Sequence, residues 1–196
     1  MRRMRRGKGL QFGRQRKKMN VPLIKEIFIW ALELLIVLGI AFVFVYYIGQ
    51  STRVIGGSMS PSLEDGDRVL VNRFIYLITS PKHNDVIAFL PNGNEKSHYY
   101  VKRVVGVPGD TVQIVEGALY VNGELYEEAI DLPSMDYSGL AEDKLTLGKN
   151  EYFVLGDNRN NSEDSRYANI GLIKKEHIVG KGWFQVSPLS KFGFLQ

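Results

Sequence analysis

Ser58 follows two glycines, Gly56 and Gly57, and precedes Met59-Ser60-Pro61. Glycine lets a backbone bend sharply and be approached closely. A reactive serine needs both properties: an exposed hydroxyl and a free backbone N–H beside it. Taken alone, a Gly-Ser before proline also reads as an ordinary turn, which Pro61 would stiffen. Lys102 interrupts an apolar strand-like run, and period-2 alternation puts Tyr100, Lys102 and Val104 on one face. A lysine there is either an edge-strand charge reaching for water or a buried amine kept neutral by desolvation. In the second case it could take the proton of a serine hydroxyl, as in Ser–Lys variants of the catalytic triad.

A third stretch, Gly156-Asp157-Asn158-Arg159-Asn160-Asn161-Ser162-Glu163-Asp164-Ser165-Arg166, is dense in polar groups between apolar flanks. By itself it reads equally as a solvated loop. His83, His98 and His177 could suggest a Ser–His–Asp triad, but the reading preferred is surface or strand histidine. Asp65 and Asp67 read as turn residues, since no ligand cluster accompanies them. The chain has no cysteine, which excludes disulfides, thiolate catalysis and cysteine-based metal sites.

These groups need a scaffold. The net charge of +4 hides an asymmetry. Residues 1–25 hold ten Lys/Arg and no acid, leaving 25 − 10 = 15 basic residues against 21 acids in the remainder. A basic tail on an acidic body argues against a nucleic-acid-binding protein and suits an anionic lipid surface. Ile27 to Ile48 is an apolar run with one acid, Glu33, and with Phe28, Trp30, Tyr46 and Tyr47 towards its ends. About 20 apolar residues cross a bilayer as a helix, and aromatic residues favour its interfaces. The run is longer than a signal-peptide core and lacks a clear small-x-small site after it. Glu33 would reach the headgroups or be protonated. The expected organisation is a basic cytoplasmic tail over 1–26, a transmembrane helix over 27–48 and an extracytoplasmic domain over 49–196, oriented by the positive-inside rule.

Beyond Gln50 the chain reads as β. Strands are expected over Arg68–Tyr76, Asp85–Leu90, His98–Val107, Thr111–Val115, Ala118–Val121, Tyr152–Leu155 and Ile178–Val186. Glu116-Gly117 and Asn122-Gly123 resemble hairpin turns. Only Lys174–His177 hints at a short helix. The fold class expected is mostly β: an antiparallel sheet of sandwich or barrel kind, with a small insertion about 111–150. Glu127–Asn150 reads as irregular.

In combination the stretches resemble the type I signal peptidase family, of the short, single-anchor bacterial kind. Its boxes, SMxP, a KRVVGVPGD-like segment and GDNRxNSxDSR, occur in the family's order at Ser58–Pro61, Lys102–Asp110 and Gly156–Arg166. The resemblance implies a membrane-bound serine endopeptidase without cofactor, with Ser58 as nucleophile and Lys102 as general base. It implies that Ser162 hydrogen-bonds and orients the lysine amine. Asp164 with Arg166, and Arg103 with Asp157, would be supporting ion pairs. The Ser58 backbone N–H would form part of the oxyanion hole. Some members carry a serine two positions before the nucleophile as a second oxyanion donor; here that position is Gly56.

The implied substrate is a preprotein signal peptide with small residues at −3 and −1. Its extended end would add as a strand beside Ser51–Gly57 and Tyr99–Val101. Val54, Ile55, Met59, Leu63, Tyr100 and Val101 would line the −1 pocket. The bilayer is an implied partner, export machinery another, and nucleic acid is not. The competing readings are a self-cleaving Ser–Lys repressor, a catalytically idle assembly factor and a tethered peptide-binding β-domain. The first lacks its DNA-binding domain here, and the second would be expected to lack the serine or the lysine.

Overall fold

The computed structural model describes residues 21–128 and 130–195. The basic tail expected over 1–26 lies largely outside them. The described residues fall into two units that part within the first helix, between Ala41 and Phe42. That helix, α1, runs Val21–Ile48, several residues earlier than the expected start. Its segment Pro22–Tyr47 is long and apolar enough to cross a membrane, with mean hydropathy 2.7 and none of its most apolar window buried.

The second unit is built on strands β1 (Gln50–Arg53), β2 (Arg68–Asn72), β3 (Val86–Phe89), β4 (Tyr100–Gly106), β5 (Thr111–Val115), β6 (Ala118–Val121), β7 (Glu124–Leu125), β8 (Leu145–Thr146), β9 (Glu151–Leu155), β10 (Ile173–Lys174), β11 (Ile178–Ser187) and β12 (Gly193–Phe194). One antiparallel sheet has the order β1-β2-β11-β3-β4-β9-β10, with β12 on β11; the other has the order β7-β6-β5-β8. The second sheet lies within the stretch 111–146. Its two hairpins turn at Glu116-Gly117 and Asn122-Gly123, all four residues at positive φ, as two-residue hairpin turns require.

The expected strand over Arg68–Tyr76 ends at Asn72. The Asn72 side chain accepts the Ile75 N–H at 3.1 Å, and a short helix, α2 (Ile75–Ile78), follows. An asparagine that bonds the backbone ahead of it offers an alternative to the sheet ladder, and this outweighed the β-propensity of Phe74-Ile75-Tyr76.

β4 and β9 carry apolar side chains on both faces because both faces are covered. Val105, Phe153 and Leu155 pack with Val112, Ile114 and Leu119 of the second sheet. Val104, Tyr152 and Val154 pack with Ile87, Phe89, Ile170 and Ile173. This two-sided burial explains runs that lack polar alternation. A third cluster joins Val54, Met59 and Leu63 to Val69, Val86 and Val101. It anchors the loop that carries Ser58.

Candidate active site

Ser58 lies in the connection from β1 to β2, and three features shape that loop. Its ends are closed by backbone bonds from Val54 N to Asp67 O (2.8 Å) and from Gly66 N to Val54 O (2.9 Å). Two carboxylates hold the turn: Asp65 accepts Gly56 N–H at 2.8 Å, and Asp67 accepts Glu64 N–H at 2.8 Å. Met59 and Leu63, both fully buried, fix it to the core. Asp65 and Asp67 are thus turn residues, in the role their spacing suggested.

Lys102 sits in β4 opposite Ile87 of β3. It is 3% exposed, so the edge-strand alternative is overturned. Its Nζ lies 2.5 Å from Ser58 Oγ and 5.8 Å from the centre of the Tyr100 ring. The amine is lowered from its ordinary 10.5 to about 8: burial pushes it down, the carboxylates of Asp164, Glu163 and Asp157 offset part of that, and Arg166 adds a smaller downward push. A substantial fraction of the amine is therefore neutral near pH 8, in contact with the hydroxyl it would deprotonate.

The pairing of β4 with β9 brings the polar box to this point. Arg103 stands opposite Leu155, and two residues further on Asp157 accepts both Arg103 Nε (2.8 Å) and Nη2 (2.7 Å). Asp164 accepts Arg166 Nε at 2.8 Å and Nη2 at 2.9 Å. All four side chains are at most 1% exposed. Planar bidentate pairs of this kind fix geometry as well as charge. Asn158 then grips the Ser58 loop: its backbone N–H donates to Ser58 O at 3.0 Å and its side-chain amide to Gly57 O at 3.0 Å. A Cβ on Gly156 would collide with the Ser58 carbonyl and Ser162 Oγ, so the box approaches this closely only through a glycine.

Ser162 is buried beside Gly156, but the hydrogen bond to the lysine amine that the resemblance implied is not made. Among the described residues Ser162 Oγ has no hydrogen-bond partner, and the Lys102 amine bonds Ser58. The Ser58 backbone N–H donates to no acceptor among the described residues and remains available to an oxyanion.

A cleft of about 290 Å³ opens at Ser58 and Lys102, walled by Val54, Ile55, Tyr100 and Val101 together with His98, Tyr99 and Glu163. Met59 and Leu63 do not line it. Their side chains face the interior cluster, where a fully apolar side chain gains most from burial. His98 reaches the cleft without bonding Ser58. His83 pairs with Asp110 at 2.8 Å and His177 lies 3.8 Å from Glu176; neither lines the cleft.

Sequence reading missed the support for the box. Arg159, 2% exposed, is held by both oxygens of Glu128 at 2.5 and 2.8 Å, and its Nε donates to Gly156 O at 3.2 Å. Asn160 bonds Ser134 O and Asp136 N, and Arg166 reaches Tyr137 O. The segment that reads as irregular is therefore the buttress of the box. Its only sequence signal is the arginine itself, which needs an acid from elsewhere.

A mostly β unit that brings a serine and a buried lysine together follows a helix of membrane-spanning length and composition. The family profile described as signal peptidase, peptidase S26, matches residues 27–186. Signal peptidase I P of Bacillus subtilis subsp. natto is 34% identical over 184 residues, covering 90% of this chain and 95% of that protein. Signal peptidase IB of Staphylococcus aureus (strain COL) is 36% identical over 188 residues, covering 86% and 93%. A crystal structure of a signal peptidase I from Enterococcus faecalis V583 superposes with a TM-score of 0.40 at 30% identity, over 53% of this chain and 97% of that one. The chain belongs to the signal peptidase I family, S26, a family of serine endopeptidases that process signal peptides.

Proposed function

We propose that the protein cleaves preproteins after an Ala-x-Ala-like site through an acyl-enzyme on Ser58, with Lys102 as general base. The observation that carries this is the 2.5 Å contact between a buried, depressed-pKa amine and the serine hydroxyl. Neutral Lys102 takes the Ser58 proton as Oγ attacks the scissile carbonyl carbon. The ammonium then gives that proton to the leaving amine as the C–N bond breaks, leaving an ester on Ser58. Water, deprotonated by the same amine, attacks the ester and frees the signal peptide and Ser58. The Ser58 N–H supports the oxyanion in both steps. Arg103–Asp157 and Asp164–Arg166 hold the box that grips the nucleophile loop.

The substrate binds as an added strand. β1 is at the edge of its sheet, and the β9 ladder meets β4 only from Arg103 onward, so Tyr100–Lys102 also keep an edge open for pairing. Such edges accept extended peptides. The short cleft walled by Val54, Ile55, Tyr100 and Val101 suits a small −1 side chain. The basic tail faces the cytoplasm, α1 spans the bilayer, and the peptidase unit stands outside, where export machinery delivers preproteins. Cleaving a preprotein series with Ala, Val, Leu or Lys at −1 tests the reading: cuts confined to the small residue support it, and equal cutting across the series contradicts it.

A further inference from the structure

A second cavity, of about 500 Å³, lies away from the cleft and includes Tyr46, Tyr47, Arg73, Tyr76, Lys175 and His177 in its lining. The Arg73 N–H donates to the Tyr47 carbonyl at 2.9 Å, and the rings of Tyr47 and Phe74 meet edge to face at 6.0 Å. The start of α2 is thereby fixed to the last residues of the span Pro22–Tyr47. At this lip three apolar side chains point into solvent: Phe74 is 43% exposed, Leu77 68% and Ile78 68%. Beside them are two cations with no carboxylate partner among the described residues. Arg73 spends one donor on Gln50; Lys175 donates to Ser80 Oγ at 3.0 Å and Thr79 O at 3.4 Å. Both retain donors for an anion. Glu176, the one acid in the lining, is 73% exposed and turned to His177.

We infer that this cavity binds the phosphodiester headgroup of an anionic phospholipid, with Leu77 and Ile78 in the acyl region beside it. The inference rests on the membrane-anchored reading above, in which Tyr46 and Tyr47 mark a bilayer interface. Each part fits that depth. Tyrosines favour the headgroup level, unpaired Arg and Lys attract anionic lipid, and exposed Leu and Ile gain from entering hydrocarbon. The site would set the height and rotation of the peptidase unit at the membrane, which a single helix leaves undetermined.

The test uses the full chain in detergent and native mass spectrometry with added phosphatidylglycerol, phosphatidylcholine or inorganic phosphate. The expected result is retained phosphatidylglycerol that falls about tenfold or more in Arg73→Gln/Lys175→Gln and survives in Arg73→Lys/Lys175→Arg. Circular dichroism and preprotein cleavage without lipid verify that the variants are folded. Equal retention in wild type and the Gln variant overturns the inference. So does retention of phosphatidylcholine to the same extent, or displacement of lipid by phosphate. Slower preprotein cleavage with unchanged lipid retention would assign the cavity to substrate instead. Lipid retention is read without turnover, so failure of the catalytic reading would leave this result interpretable.

Discussion

The backbone N–H of Asn158 donates to the carbonyl oxygen of Ser58 at 3.0 Å. With the bond from its side chain to Gly57 O, this ties the Ser58 loop to the box after β9. Asn158→Ala removes the side-chain bond and keeps the backbone one. The expected result is a kcat lowered about tenfold, because small misplacement of a reacting group is costly. Stability should fall by only about 1 kcal/mol. Steady-state kinetics on a preprotein and a urea titration check the two together.

Gly156→Ala should be more severe for catalysis. Its Cβ meets the Ser58 carbonyl and Ser162 Oγ, so the proposed nucleophile must move. A loss of about 100-fold or more in kcat/KM is expected, on the same positional argument, from a chain that still folds by circular dichroism. Near-wild-type activity would show that the loop yields freely.

Arg103 and Asp157 form a buried bidentate pair. Removing one partner strands the other charge, so Asp157→Asn or Arg103→Met should cost about 3–5 kcal/mol. The double variant Arg103→Met/Asp157→Leu should recover much of that stability while losing activity, since the geometry of the box goes with the pair. Denaturant unfolding of all three decides it.

In the proposed mechanism Lys102 acts in its neutral form, so kcat/KM should rise with pH through about 8. Lys102→Arg should be inactive across the range, because a guanidinium does not give up its proton. The stability sign follows from linkage. Between about 8 and 10.5 the unfolded chain holds the Lys102 proton and the folded chain does not, so stability rises with pH there. Relative to Lys102→Met, the wild type should gain stability across that window and show no differential slope below it. Paired thermal melts over the series measure this.

The wall of the cleft and the layer behind it should respond differently. Val54→Ala and Ile55→Ala enlarge the wall and should admit a larger −1 residue. Leu63→Ala, fully buried, should cost about 2–5 kcal/mol and leave the −1 preference unchanged.

That contrast shows what the sequence made legible. Alternation placed Tyr100, Lys102 and Val104 on β4, and the box motif named Asp157, Asp164 and Arg166, because both are local patterns. Loop residues have no such period. Nothing in Met59 or Leu63 says whether a side chain in a turn faces the cleft or the core, so both were expected in the pocket and are found behind it. Arg159 with Glu128 was illegible for a related reason: the partner comes from a segment without regular structure. The strand expected to continue to Tyr76 failed at Asn72, where a single side-chain bond outweighs propensity. The absent Ser162–Lys102 bond could not have been foreseen from spacing, since the amine contacts Ser58 instead.

The most direct measurement is acid-quenched intact-mass analysis of the full chain with a preprotein carrying an Ala-x-Ala site, alongside Ser58→Ala and Lys102→Met. The account predicts a covalent signal-peptide adduct mapped to Ser58 in the wild type, and neither adduct nor cleavage in either variant. Cleavage that persists in Ser58→Ala, or in Lys102→Met at the wild-type rate, would contradict it.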